Sequence, residues 1–170
     1  MRKIFSVVQP ASGWTDVTRS VVGVEVDGLN LSVSVLSGAH LHEAAFVALL
    51  RGPLASALKE AAKYERKNPV RTEVETGMSG RRKFIIHWTE SVGSFFRPRR
   101  KEVLYISGNR KIATVDCFLP DLILFLGDLN DSESEEVTFR EIPEIDTEGY
   151  RFVDRYVAGD LVEKFLEEAV

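Results

Sequence analysis

Nine cationic side chains crowd into residues 81–111 of this 170-residue chain, against two acidic ones, Glu90 and Glu102. The cations are Arg81, Arg82, Lys83, Arg97, Arg99, Arg100, Lys101, Arg110 and Lys111. Binding a phosphate chain takes several cationic donors near one another, and arginine adds a planar fork that grips a pair of oxygens. Unstacked bases are held by exposed aromatic faces or by arginine planes. Phe95 and Phe96 stand beside three of those arginines, and Trp88 precedes them. This set predicts a single-stranded DNA- or RNA-binding protein that neutralises phosphates and stacks bases, without catalytic activity. The competing reading is a solvated basic face balanced by an acidic C-terminal third, with Phe95 and Phe96 folded inward. Neither an aromatic RNP pattern nor a Gly-x-x-Gly clamp between helices is present.

These residues must be positioned by local structure, and the sequence suggests how. One short phrase occurs twice, as Ser79-Gly80-Arg81-Arg82-Lys83 and as Ser107-Gly108-Asn109-Arg110-Lys111. Each copy lies between runs of strand character, so the spacing predicts two hairpins with cationic tips, over about 70–89 and 101–118. In the second copy Gly108-Asn109 suits a two-residue turn with glycine at the first central position. Lying side by side, the hairpins would join Arg81, Arg82, Lys83, Arg110 and Lys111 in one patch. Residues 91–100 read as a mobile basic loop.

The remaining candidates for chemistry are sparser. His40-Leu41-His42 could share a metal ion with His87 or Cys117, but residues two apart on a helix face different ways. No metal site is therefore assigned. Glu73, Glu75 and Asp116 are the set a metal-dependent nuclease would use, although strand acids usually pair with cross-strand cations such as Lys83. The usual phosphate-binding, dinucleotide-binding, nucleophile-elbow and zinc-protease motifs are missing. No cofactor is expected. The alternative to nucleic-acid binding is a protein-interaction or assembly subunit, possibly a homodimer.

The rest of the chain reads as an α+β domain spanning residues 1–170, an antiparallel sheet built from hairpins. Lys3 to Val8 is a first strand, and Asp27-Gly28 between alternating apolar runs marks a hairpin at about 20–36. Apolar spacing predicts a helical pair over 39–66, broken at Gly52-Pro53, and a C-terminal helix over 160–169. Leu119 to Leu126 fits neither strand nor helix well, and Val137 to Ile142 suits a last strand. Residues 127–136 read as a flexible acidic loop. The run Glu102–Ile112 is similar to a segment of the small tRNA-binding subunit of the archaeal KEOPS complex. There the chain continues as a helix, whereas Ala113 to Asp116 has strand character, so the resemblance is not adopted.

The net charge of −4 conceals a polarity: residues 1–111 hold 18 Lys and Arg against 10 Asp and Glu, and residues 112–170 hold 4 against 16. The basic part suits an anionic partner or the chain's own acidic third. A single cysteine, Cys117, rules out an internal disulfide framework and suits a reducing, cytoplasmic location. No apolar run is long enough to span a bilayer, and the N-terminal run is too short for a secretory signal. One glutamine and four asparagines lean toward a thermophile.

Overall fold

Alternating apolar residues build the strands, and the burial follows the alternation. The structure, a computed structural model, describes residues 1–10, 17–112, 114–130 and 137–142. It is mostly antiparallel β-sheet with few helices, broadly α+β. A five-stranded sheet contains β1 (Arg2–Pro10), β2 (Val17–Asp27), β3 (Asn30–Gly38), β9 (Thr114–Phe118) and β10 (Thr138–Ile142), in the order β10-β1-β2-β3-β9. A three-stranded sheet is formed by β5 (Arg71–Thr76), β6 (Arg82–Val92) and β7 (Phe95–Ile106), with β6 central. Two short strands, β4 (Leu41–His42) and β8 (Lys111–Ile112), pair with each other. Among the described residues the α-helices are α1 (Glu43–Arg51), α2 (Ala55–Ala61) and α3 (Leu119–Ile123).

One apolar cluster joins these layers. Phe5, Val7, Val22, Val24, Leu31 and Val33 face it from the larger sheet, and Phe84, Ile86, Leu104 and Ile106 from the smaller one. Phe46 and Leu49 of α1 and Leu122 of α3 fill the space between, and the ring of Phe125 meets that of Phe84 edge to face at 5.3 Å. Each fully buried side chain of this size contributes roughly 1.5–3 kcal/mol.

The turns explain where the sequence expectations hold and fail. The β2–β3 hairpin closes through Gly28 and Leu29, with Gly28 at φ +60°, where glycine meets no Cβ penalty. β5 pairs with β6 across residues 77–81. Residues 101–118, however, are not a hairpin. After β7 the chain turns through Ser107–Arg110, with the Arg110 amide donating to the Ser107 carbonyl at 2.9 Å. It then diverges, β8 pairing with β4 and β9 with β3. Arg110, not Gly108, takes the left-handed conformation, at φ +59°. The strand partner of β7 is β6, through a two-residue turn at Gly93-Ser94 with Gly93 at φ +60°. Residues 95–100, expected in a loop, are therefore strand.

The helical region is shorter than its apolar spacing suggests. Residues 40–42 stay extended because the buried side chain of Gln9 donates to the His40 carbonyl at 2.9 Å and accepts from the His42 amide at 3.0 Å. The helix thus begins at Glu43, and α2 ends at Ala61. Pro120, which counts against a strand, lies in the first turn of α3, where its missing N–H is no loss. The expected C-terminal helix, Ala113, most of the 127–136 loop and Trp14 lie outside the described residues.

The two repeated Ser-Gly bends touch. A Cβ added to Gly108 would lie 2.5 Å from the Ser79 carbonyl oxygen, a backbone atom that cannot swing aside. Gly108→Ala is expected to lower stability by about 1–3 kcal/mol in denaturant unfolding. Gly127→Ala, where an added methyl meets nothing, should stay within about 0.5 kcal/mol of wild type.

Candidate nucleic-acid interface

The β6–β7 hairpin outlasts its third strand. β5 pairs with β6 only as far as Arg71 opposite His87. Five further pairs, from Trp88 opposite Arg99 to Val92 opposite Phe95, form a two-stranded arm about 17 Å long by strand rise. Residues 89–98 are all exposed. Phe95 is 78% exposed and Phe96 77%, so neither folds into the core, and Val92 beside them is 51% exposed. Large apolar side chains gathered at one exposed tip are a mark of an interaction site.

Strand alternation sorts the arm into two faces. Paired residues share a face, so Phe95, Arg97, Arg99 and Lys101 lie with Val92, Glu90, Trp88 and Ile86. Phe96, Pro98 and Arg100 lie on the other face with Ser91, Thr89 and His87, and Arg71 of β5 joins that face opposite His87. Arg99 pairs with Glu90 at 2.5 Å and Arg100 with Glu75 at 3.6 Å. Arg97 and Lys101 form no ion pair with a described residue. His87 Nε2 lies 2.5 Å from the Glu73 carboxylate, and this hydrogen bond holds the Glu73 carboxyl below its ordinary range. At the root of the arm an open depression of about 600 Å³ is lined by Val70, Arg71, His87, Trp88, Phe96 and Arg99, among others. Arg71 and His87 were absent from the sequence-derived set. Their signal was the alternation that places both on the Arg100 face.

The cations of the two bends form a separate group. β6 and β7 carry the bends at one end and the aromatic tip at the other, roughly 33 Å apart by strand rise. Arg81 and Arg110 are exposed on the two abutting bends. Arg81, Lys83, Met78, Tyr105, Glu75 and Glu102 line an open depression of about 650 Å³. Lys111 is half-buried in β8. Arg82 does not belong to the open set: its guanidinium is hydrogen-bonded to the buried carboxylate of Glu43 and donates to the Asp128 carbonyl at 2.8 Å.

The residues weighed for metal chemistry are dispersed. Asp116 lies on β9, in a different sheet from Glu73 and Glu75, and Cys117 is buried in the core. Among the described residues no three His, Cys, Asp or Glu side chains converge, and no helix is long and apolar enough to cross a membrane. Burial pushes the Cys117 thiol up to about 12.

Comparison with protein families, curated proteins and solved structures finds no match. Two expectations follow from the geometry. Arg82→Ala strands the Glu43 carboxylate in the interior and should cost about 3 kcal/mol in chemical denaturation, whereas Arg81→Ala should change stability by less than about 0.5 kcal/mol. Cys117, with almost no thiolate at pH 8, should react with a disulfide reagent only after denaturant unfolds the chain. Rapid labelling of the folded protein would contradict this placement.

Proposed function

We propose that the protein binds single-stranded DNA or RNA through its β-arm, as a binder rather than an enzyme. One observation carries the reading: two adjacent phenylalanines stand in solvent at the end of a basic two-stranded arm. Leaving that much aromatic surface in water is unfavourable unless a ligand covers it. A base covers an aromatic ring well, and stacking is worth about 1–3 kcal/mol per base whatever the sequence. Arg97 and Arg99 on the arm, with Arg100 and Lys101 at its root, supply the charge for phosphates. Arg81, Lys83 and Arg110 extend the cationic surface at the far end of the hairpin, with Lys111 beside them on β8. Arg82, although basic, serves the fold.

A second reading, an assembly subunit, draws on a different feature. β7 is an edge strand, and its outer edge is unpaired among the described residues. A partner strand could add to it, but Pro98 lacks a donor N–H and the run of arginines discourages close approach of another strand. Nucleic acid is therefore the favoured partner.

The test is a salt titration of a fluorescent oligonucleotide. Affinity should fall steeply with salt as counterions are released, and the triple variant Arg97→Ala, Arg99→Ala, Arg100→Ala should flatten the log–log slope by about 2, at roughly 0.7 per lost phosphate contact on a single strand. Absence of binding at 50 mM salt, with a partner protein co-purifying instead, would favour assembly.

A further inference from the structure

Phe95 and Phe96 are consecutive on one strand, so their rings leave the ribbon on opposite faces. A continuous single strand following one face would cover only one of them. The cations divide in the same way. Arg97, Arg99 and Lys101 accompany Phe95, while Arg100, with Arg71 and His87 at the root, accompanies Phe96. Both long edges of the arm are unpaired among the described residues, so the arm is a single layer with two open sides. Its leading end is apolar: Val92, Phe95 and Phe96 surround the two-residue turn Gly93-Ser94.

We infer that the arm is a wedge for a junction where a nucleic-acid duplex opens into two single strands. This deepens the nucleic-acid reading above and rests on it. The apolar tip abuts the last base pair, in the manner of apolar side chains that unstack a base step. Each departing strand runs along one face, with its first unpaired base stacked on Phe95 or on Phe96 and its phosphates met by the cations of that face. A wedge needs an aromatic at the tip and cations within reach on each of its two faces, and a thin blade. A platform for one continuous strand needs its aromatics on one face.

The experiment uses the full chain and a fluorescein-labelled forked duplex with two non-complementary single-stranded tails. A single strand of the same length and a blunt duplex serve as comparators, each in DNA and RNA form at one salt concentration. The fork should bind about tenfold more tightly than the single strand, the gain of roughly one extra stacked base. Phe95→Ala and Phe96→Ala should each reduce fork affinity about tenfold, and both side chains are exposed, so the fold persists in either variant. A 2-aminopurine at the junction pair should brighten on binding to wild type and not with the double variant. Equal affinity for fork and single strand, or loss confined to one phenylalanine, overturns the wedge and leaves single-strand binding intact. Failure to bind any of the probes overturns both.

Discussion

The carboxylate of Glu43 is nearly sealed from water, and its neighbourhood is arranged around satisfying it. It takes the Arg82 guanidinium and the backbone N–H of Asn130, the latter at 3.0 Å. Arg82 in turn donates to the Asp128 carbonyl and lies 5.6 Å from the centre of the Phe84 ring. The Glu43 amide donates to the Arg110 carbonyl at 2.8 Å. One residue thus ties the start of α1, the first residue of β6, the second bend and the segment after α3. A buried pair of this kind adds little net stability over apolar packing, but neither member can move without exposing the other to an unpaired burial. Its effect is to fix geometry. The left-handed conformation of Arg110, which costs about 1–2 kcal/mol for a residue with a Cβ, is what aims that carbonyl at the helix start.

A two-stranded ribbon is marginal in water by itself. The arm inherits order from the part of β6 that is paired on both sides and packed through Phe84 and Ile86, with Trp88 at the margin of the core. Beyond Trp88 the apolar alternation stops supplying core residues, and the chain turns back through Gly93-Ser94. The same stretch carries features that discourage pairing of an exposed edge with another strand. Pro98 removes a donor, and arginines flank the proline. These charges keep strange strands away and remain available to an anionic chain.

The parts of this structure that were legible in the sequence are those decided locally. The Asp27-Gly28 hairpin follows from turn chemistry alone, whereas α1 buries Phe46, Val47 and Leu50 and leaves Ala44 and Ala48 half-buried, because the helix starts only at Glu43. The pairing of residues 101–118 does not follow from turn chemistry. Gly108-Asn109 is an acceptable hairpin turn, and nothing nearby reveals that Leu41 and β3 compete for Ile112 and the strand after it. Gly108 is glycine for a different reason, because Ser79 presses against it. The 91–100 stretch misled for the opposite reason. Its charges and its Gly-Ser pair resemble a loop, yet a two-residue turn can join long strands when the residues on both sides favour extended backbone. Arg82 looked like one more cation of a tip, and its partner Glu43 is 39 residues away. The arm face that carries Arg71 and His87 was readable from alternation, but only once the pairing partner of β6 was known.

Pairing does not by itself withdraw a cation from a ligand, and the magnitudes separate the cases. Exposed ion pairs such as Arg99–Glu90 and Arg100–Glu75 are worth about 0–1 kcal/mol, and each acid sits on the rim rather than in the core. A phosphate offers a comparable charge and a pair of oxygens for the guanidinium fork, so exchanging one acceptor for the other costs little. The Arg82–Glu43 pair differs because Glu43 has no water to fall back on. Removing Arg82 from it would leave an interior carboxylate without its cation, at about 3 kcal/mol, more than a single phosphate contact returns. The cationic stretch therefore divides by the environment of its acidic partners rather than by its own exposure. Its arm arginines are exchangeable, and Arg82 is part of the frame around Glu43.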